Sequence, residues 1–556
     1  MPLRPSPSAR LPSRLWHWAA LLTLGAWLSG CASLPIEVER PVSTALANPA
    51  ETRLGQLVEA RAAQAGTRND SGFALVSNAE LAFTSRMALI NAAQKTLDIQ
   101  YYAIHADDTT DRMFDALRAA AARGVRIRIL LDDFNTTGKN AQVLKLAFEK
   151  NIELRLFNPL PGGRGSVFFR ILGSLKDMAR IQRRMHNKTF IADNAVAITG
   201  GRNLGETYFG QGQETNFIDA DVLSAGRITR ELSQSFDQYW NNPLAYPVQS
   251  LLMVREIEAL KPAAPIATVS ADGVAAPSPA GAADPATREA RTTTATNGTV
   301  SVIAPLPDTT RLSQLPWVWA PSVLLADKPS KIAADADDVR EAQDTAVDGL
   351  LQLMSQANSD LLIVSPYFVP GQRMMTQLAA IRQKGVRIRV LTNSLASNDA
   401  PAAHVGYARY RKELLALGID IYEMRAEQQG TLSSISGLGS SGSGGGSRAS
   451  LHAKVVVQDK RLLVVGSLNL DLRSQLQNTE VALIIRSRKL SADATRLIEL
   501  ALTSGAYKVE LQPDGQLIWR APQGSGLKDS TTEPDASLGL KLMLKLLGPF
   551  APDEML

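Results

Sequence analysis

A run of polar residues that occurs twice in the same order constrains this chain more than any other feature. The two copies are RMHNKTFIADNAVAITGGRN at residues 184–203 and SLHAKVVVQDKRLLVVGSLN at residues 450–469. Both contain a histidine, a lysine, an aspartate and an asparagine at one spacing, namely His186, Lys188, Asp193 and Asn203 and, 266 residues later, His452, Lys454, Asp459 and Asn469. Two copies in register over so long a period indicate duplicated halves and not a solenoid.

The surroundings of both copies predict the same fold. Helical and strand-like segments alternate, and GVRIRIL at residues 124–130 is nearly repeated as GVRIRVL at residues 385–391. Alternating strands and helices predict an α/β fold with a mostly parallel core. Two similar α/β halves pack most simply about a pseudo-two-fold axis, which would bring the two polar stretches to one active site at the interface.

The 556 residues, 45% of them hydrophobic, are enough for two substantial cores. The predicted order begins with a signal peptide (residues 1–30), a tether with a helix (31–72) and a first half (73–261). A disordered Ala/Pro/Thr linker (262–300) then leads to a second half (301–556), which contains a Gly/Ser loop (433–449).

The single cysteine, Cys31, follows an apolar run at residues 15–28 that is preceded by arginines. This pattern predicts an export signal, because a membrane span needs about 20 apolar residues. The sequence LSGC at residues 28–31 resembles a bacterial lipoprotein signal, which implies cleavage before Cys31 and acylation of this residue. The protein would then face the periplasm on a lipid anchor in the inner or outer membrane. The alternative is an uncleaved signal anchor.

The residue types in the two stretches fit phosphodiester chemistry. Alternation along a strand puts the histidine and the lysine, two residues apart, on one face. One imidazole can attack phosphorus while the other protonates the leaving oxygen, and lysines and amides can stabilise the phosphate charge. Because no cluster of Asp, His and Cys indicates a metal site, we predict a metal-independent reaction without a cofactor. The net charge of +5 fits phosphate-bearing partners without choosing between lipid and nucleic acid.

Both stretches satisfy the signature H-x-K-x4-D-x6-G-[GS]-x-N, and on these residues the chain resembles the phospholipase D superfamily. More narrowly, it is similar to the class C branch of bacterial cardiolipin synthases, because of SPYFVPG, LTNSLASND, HVGYARYRKELL and LNLDLRSQLQNTE at residues 365–371, 391–399, 404–415 and 468–480. The resemblance covers residues 73–556 apart from the linker and the Gly/Ser loop.

This resemblance implies a role for each signature residue. His186 would form a phosphohistidine, and His452 would be the general acid and then the base, with the reverse order left open. The lysines and asparagines would bind the phosphate, namely Lys188, Lys454, Asn203 and Asn469. Asp193 and Asp459 complete the catalytic signature, but we expect them to hold local structure.

Each histidine also needs a carboxylate on its second ring nitrogen to fix the tautomer and the charge. Glu480, which precedes a predicted strand, fits His452. For His186 the candidates are Asp219 and Glu214, and we favour Asp219 because it also precedes a strand.

The predicted function is that of a membrane-anchored phosphatidyltransferase that makes cardiolipin from phosphatidylglycerol, with phosphatidylethanolamine as a further candidate donor. The alternatives are a phospholipid hydrolase, a nuclease and a catalytically dead lipid-binding lipoprotein. The expected partners are phospholipids and the membrane surface, and no nucleic acid.

Three further features are left with structural and functional alternatives. We predict that His105 is structural, whereas His404 either reaches the cleft or is a hydrogen-bonded structural residue. The segment SLGLKLMLKLL at residues 537–547 predicts an apolar helix with two lysines. We favour packing of this helix on the core over contact with a membrane.

Overall fold

The computed structural model describes residues 34–161, 178–252, 256, 315–333, 344–427 and 448–547. The predicted signal peptide with Cys31, the linker at residues 262–300 and nearly all of the Gly/Ser loop lie outside these residues. The predicted domain boundaries therefore stay predictions at several points. The last two residues assigned to the loop, Arg448 and Ala449, begin a strand.

The described residues form two nine-stranded sheets. The first has the order β10-β1-β8-β6-β5-β2-β3-β4-β9, with β1 Ser71–Val76, β2 Thr96–Tyr101, β3 Arg126–Asp132, β4 Ile152–Phe157, β5 Thr189–Ala192, β6 Val196–Gly200, β8 Asp221–Ala225, β9 Ala245–Pro247 and β10 Val318–Ala320. The second has the order β11-β20-β18-β17-β12-β14-β15-β21-β22, with β11 Ser322–Ala326, β12 Asp360–Val364, β14 Arg387–Asn393, β15 Asp420–Met424, β17 Val455–Gln458, β18 Leu462–Gly466, β20 Val481–Arg486, β21 Ala506–Leu511 and β22 Leu517–Arg520.

Seven consecutive strands of each sheet correspond, from β8 to β9 in the first and from β20 to β21 in the second. Their parallel and antiparallel pairings match strand for strand, which confirms the duplicated α/β fold. The expectation of a mostly parallel core is wrong, because within the two large sheets only β2-β3-β4 and β12-β14-β15 run parallel. The signature stretches form tight hairpins, β5–β6 and β17–β18, and a tight hairpin can only pair antiparallel.

Helices cover the outer faces of both sheets and also contribute to a core between them. The described helices are α1 Arg53–Gln64, α2 Ala79–Ala92, α3 Asp108–Ala122, α4 Met178–Gln182, α5 Arg227–Trp240, α6 Ser330–Ala333, α7 Ala346–Met354, α8 Gly371–Gln383, α9 Pro401–Ala416, α10 Leu472–Leu476, α11 Arg488–Ser504 and α12 Leu538–Leu547. The central core combines residues of both sheets with α5 and α11, so the halves share one hydrophobic interior. This shared core fixes the two halves against each other.

Two small parallel sheets lie outside the large ones. β7 (Thr215–Ile218) pairs with β16 (Arg448–Leu451), and β13 (Phe368–Val369) pairs with β19 (Leu470–Asp471). The first of these pairs joins the two halves. The chain also crosses between the sheets near residue 321, since β10 pairs with β1 and β11 pairs with β20.

The C-terminal helix α12 does not pack on the core, contrary to the prediction from its apolar pattern. Leu538, Leu542 and Leu546 are 85%, 57% and 60% exposed, and these leucines are four residues apart on one side of the helix. Within the described residues, no helix is both long enough and apolar enough to cross a membrane.

Candidate active site

Parallel pairing between the halves positions the two histidines. β16 runs parallel to β7, and His452, which follows β16, donates its backbone N–H to the carbonyl of Ile218 at 2.8 Å. On the other side, Met185 forms a parallel bridge with Thr479, and the backbone N–H of His186 donates to the carbonyl of Thr479 at 3.0 Å. This pairing places His452 beside Asp219, the residue after Ile218, and His186 beside Glu480, the residue after Thr479.

The carboxylates at the histidine rings come from the opposite halves, so the pairing predicted from the sequence is wrong. The Nδ1 atom of His186 lies 3.0 Å from both carboxylate oxygens of Glu480, and that of His452 lies 2.6 Å from Asp219 Oδ2. The two carboxylates themselves are those predicted. Glu214, the alternative for His186, lies instead at the start of the β7–β16 pairing, where its carbonyl accepts a backbone N–H. The parallel pairing exchanges the partners, and no position within one half reveals that exchange.

Burial and neighbouring cations lower the pKa of both imidazoles. Burial lowers the pKa of His186 well below 6.5, and the charges of Lys188 and Lys454 lower it further. Burial and Lys454 also lower the pKa of His452, but the adjacent Asp219 carboxylate opposes them. The electrostatic environment therefore favours a neutral His186 more strongly than a neutral His452.

The two carboxylates differ in charge. Burial opposes ionisation of Asp219, but the charge of His452 and its hydrogen bond outweigh that effect and lower the pKa of Asp219 to about 2. Burial raises the pKa of Glu480 to about 7, although the hydroxyls of Ser467 and Ser474 donate to its carboxylate. Asp219, on the His452 side, is thus the more strongly ionised of the two carboxylates.

The lysines of the signature lie buried directly behind the histidines. Lys188 Nζ donates to the carbonyl of His186 at 2.8 Å, and Lys454 Nζ donates to the carbonyl of His452 at 2.6 Å. Burial lowers the pKa of both ammonium groups, that of Lys188 to about 7. A negatively charged ligand would stabilise the protonated forms of both lysines and raise their pKa values again.

Both histidines and both signature asparagines line one cavity of about 410 Å³. This volume lies in the range of small-molecule binding sites. The cavity is also lined by residues of both halves, among them Tyr102, Phe134, Arg184, Tyr208, Tyr367, Asp399, Asp471, Arg473 and Asn478. The two imidazoles, one from each half, therefore border the same cavity.

The signature aspartates hold the hairpins and do not line the cavity. The two-residue turns Asp193–Asn194 and Asp459–Lys460 have positive φ angles of 52°, 50°, 51° and 53°, as the tightest hairpins require. Each carboxylate accepts three backbone N–H groups from the loop before a central strand, those of Gln94, Lys95 and Thr96 in the first half and of Asn358, Ser359 and Asp360 in the second. The geometry thus agrees with a structural role within the catalytic signature.

Replacing Asp193 with alanine should therefore reduce stability much more than chemistry. Three backbone donors would lose a charged acceptor, which should cost about 2–4 kcal/mol of unfolding free energy. Denaturant unfolding measures the loss, and titration of active sites gives kcat per folded molecule, which should stay within a few-fold. Unchanged stability with a large loss of kcat would contradict this role.

Several residues at the site carried no readable signal in the sequence. The ring of Tyr102 lies 5.1 Å from that of His186, and the ring of Tyr208 lies 5.3 Å from that of His452. Tyr208 also accepts a hydrogen bond from the Asn203 side chain at 3.0 Å. Single tyrosines in irregular segments have no periodicity to mark them. By contrast, the motif itself marks Ser467, which occupies the position of the signature that is either glycine or serine.

Two histidines outside the signature lie among the described residues, and both are structural. His105 packs at 6.2 Å on the ring of Tyr208, as a structural residue was predicted to do. His404 is buried on α9, where its Nε2 atom lies 3.0 Å from a guanidinium nitrogen of Arg411 and 3.5 Å from Glu533. Neither residue lines the cavity, so the alternative that His404 reaches the cleft is wrong.

Two duplicated α/β halves that share one pair of histidines define a phospholipase D-like protein. The family model described as "Cardiolipin synthase, PLD-like domain" matches residues 87–240 and 350–500, and the chain belongs to this family.

The relatives point in the same direction. The chain is 36% identical over 470 residues to cardiolipin synthase C of Escherichia coli, with 84% of this chain and 92% of the relative covered. It is 22% identical to the probable cardiolipin synthase YwiE of Bacillus subtilis, with 86% and 73% covered. The phosphatidylserine synthase of Haemophilus influenzae shares the fold, with a TM-score of 0.52 at 13% identity over 89% of this chain and 98% of that structure.

Proposed function

We propose that the protein is a phosphatidyltransferase of phospholipid biosynthesis that makes cardiolipin through a covalent phosphohistidine. The observation that carries the proposal is the pair of histidines lining one cavity, each with a carboxylate of the opposite half at its Nδ1 atom. A carboxylate at Nδ1 leaves Nε2 of each ring free to act on the substrate. The same set of groups recurs on both sides, as two successive displacements at one phosphorus atom require.

In the first step, Nε2 of His186 would attack the phosphorus of a donor phospholipid. A nitrogen–phosphorus bond forms as the bond to the headgroup oxygen breaks, and His452 gives its proton to that oxygen. The ammonium groups of Lys188 and Lys454 stabilise the charge on the non-bridging oxygens. The bound phosphate also favours a protonated His452, because it adds negative charge to a site that already contains Asp219.

In the second step, His452 would accept the proton of an acceptor hydroxyl, which then attacks the phosphorus. The bond to His186 breaks, and the phosphatidyl group leaves on the new oxygen. Phosphatidylglycerol as the acceptor gives cardiolipin, and water would give phosphatidate. The surroundings of the histidines support His186 as the nucleophile and His452 as the acid. The pKa of His186 is lowered more strongly than that of His452, and Asp219, at the ring of His452, has a lowered pKa.

The transferase activity can be tested with the purified protein and labelled phosphatidylglycerol in mixed micelles, with and without phosphatidylethanolamine. We expect labelled cardiolipin, and its headgroup by-product identifies the donor. Release of phosphatidate without a diphosphatidyl product would contradict the transferase and leave the hydrolase.

The activity should fall on the alkaline side of neutrality. Burial lowers the pKa of Lys188 to about 7, so the free protein loses this charge as the pH rises. His452 must also be protonated to act as the acid, so kcat/KM should fall at least tenfold per unit above about pH 7.5. Bound phosphate stabilises both cations, so the decline in kcat should begin at higher pH. Coincident declines in kcat and kcat/KM would contradict this account.

We also propose that the protein works at a membrane surface in the bacterial cell envelope, anchored through an acylated Cys31 and facing the periplasm. The exposed leucines of α12, together with its lysines, give a further contact for an anionic bilayer. In a chain that begins at residue 32, the combined change of Leu538, Leu542 and Leu546 to glutamate should lower binding to phosphatidylglycerol vesicles at least tenfold. The control is Leu527→Glu, at an exposed leucine outside α12. Equal binding by both variants would contradict the role of the helix.

A further inference from the structure

The side chain of Arg473 lines the catalytic cavity and has no ion-pair or hydrogen-bond partner among the described residues. It belongs to α10, a short helix that is otherwise firmly held. The Asp471 carboxylate accepts the N–H of Ser474 at 2.7 Å, the Ser474 hydroxyl donates to Glu480 at 2.8 Å, and Lys331 Nζ donates to the carbonyl of Ser474 at 2.8 Å. A fixed backbone therefore presents a free guanidinium to the cavity.

Other arginines near the site are already occupied. Arg184 donates to Asp132 at 3.3 Å and to the carbonyl of Asn158 at 2.9 Å. Arg202 is buried and forms an ion pair with Asp221 at 3.3 Å. Their fork-shaped donors are used inside the protein, whereas the donors of Arg473 remain for a ligand.

The duplication breaks down at this position. Arg473 is four residues after Asn469, and the residue four positions after Asn203 is Thr207. Two phosphate cradles that match in histidine, lysine and asparagine thus have a guanidinium on one side only. Symmetry accounts for binding of the reacting phosphate, but it does not account for this additional cation.

The charge of Arg473 acts on the side of the cavity where His186 lies. After burial and the two signature lysines, Arg473 is among the cations that lower the pKa of His186. It also opposes the rise that burial causes in the pKa of Tyr102, whose ring packs on His186. The guanidinium is thus near the phosphohistidine of the proposed reaction.

We propose that Arg473 forms a second anion subsite, which binds the phosphate of the acceptor and selects an alcohol that carries a phosphodiester. The proposal rests on the phosphatidyltransferase function above. An acceptor phospholipid brings a second negative phosphate close to the one being transferred, and the two would repel each other in a partly desolvated cavity. A guanidinium binds phosphate oxygens in two-point contacts and offsets this repulsion. A water molecule needs no such group, so the subsite favours transfer over hydrolysis.

The two acidic residues that line the cavity have other partners and do not form an ion pair with Arg473. Asp399 accepts the hydroxyl of Tyr367 at 2.8 Å and that of Ser450 at 3.3 Å. The Asp471 carboxylate caps α10, and its pKa is raised to about 6, with burial as the largest cause. Neither carboxylate lies within ion-pair distance of the guanidinium.

The test compares two acceptors for one donor, p-nitrophenyl phosphatidate, whose leaving group reports the first step. Phosphatidylglycerol is the anionic acceptor, and glycerol is the neutral one. In Arg473→Gln, we expect the ratio of kcat/KM for phosphatidylglycerol to that for glycerol to fall 10- to 100-fold, mainly through a rise in KM for phosphatidylglycerol, whatever smaller change the lost charge causes in nitrophenol release. Arg473→Lys should recover part of the loss, because it keeps the charge without the fork. Arg230→Gln is the matched control, since Arg230 is exposed on α5 and lies outside the cavity lining.

Each result decides the proposal. An equal loss with both acceptors in Arg473→Gln and Arg473→Lys would overturn it, since a structural or catalytic role predicts that pattern. An unchanged preference for phosphatidylglycerol would overturn it as well. If the unaltered protein releases nitrophenol but transfers to neither acceptor, the proposed transferase function fails instead, so the two failures are distinguishable.

Discussion

Replacing either His186 or His452 with alanine should lower phosphatidyl transfer by about ten-thousand-fold or more. His186 would supply the nucleophilic nitrogen of the first step, and His452 would transfer the proton in both steps. Groups that act as one unit do not contribute additively, so the double variant should be about as active as the less active of the two single variants. Steady-state rates with labelled phosphatidylglycerol measure all three.

This experiment also separates one shared site from two independent ones. If each half had its own complete site, a single replacement would leave about half of the activity. His105→Gln, which changes a histidine outside the cavity, should keep activity within a few-fold and serves as the control. Melting temperatures of the variants show whether any loss comes from unfolding.

The crossed carboxylates give the second large effect. Asp219→Asn and Glu480→Gln should each reduce kcat by about 100- to 10,000-fold, because an amide no longer fixes the tautomer or stabilises the imidazolium of its histidine. The two variants should differ in which step they impair. Asp219 lies at the ring of the proposed acid, His452, whereas Glu480 lies at the ring of the proposed nucleophile.

An activated leaving group separates these steps. p-Nitrophenolate leaves without a proton, so nitrophenol release in the first turnover should be largely restored in Asp219→Asn but not in Glu480→Gln. The opposite pattern would mean that each carboxylate serves the histidine of its own half, or that the histidines exchange roles. Ser450→Ala is a useful control, since it changes a residue of the same β7–β16 junction whose hydroxyl donates to Asp399 and not to Asp219 or Glu480.

Much of the fold and the site could be read from the sequence because the duplication made the evidence redundant. His186 and His452 stood out by an identical spacing to their lysines, aspartates and glycines. The expected placement of each histidine and lysine on one face of a strand was not met, since these residues lie just before the strands and only the histidines line the cavity. Asp219 and Glu480 were recognisable because each precedes a strand, Glu480 directly and Asp219 by two residues. Local patterns therefore sufficed for the residues themselves.

What the sequence did not reveal depends on how the halves meet. The exchange of Asp219 and Glu480 follows from parallel pairing between segments more than 200 residues apart, such as Ile218 with Leu451. No periodicity within a half records such a contact. The mixed sheets arise similarly, because the hairpins add antiparallel strands to a parallel centre. α12 was misjudged because an apolar helix has the same pattern whether it packs on a core or remains exposed.

The covalent intermediate tests the central claim most directly. His452→Ala, mixed with p-nitrophenyl phosphatidate, can complete the first step without an acid but has no base for the second. Intact-protein mass spectrometry should then show one phosphatidyl group per chain, and peptide mapping should place it on His186. The same experiment with His186→Ala should show none. An adduct on His452, or full nitrophenol release without any adduct, would contradict the account.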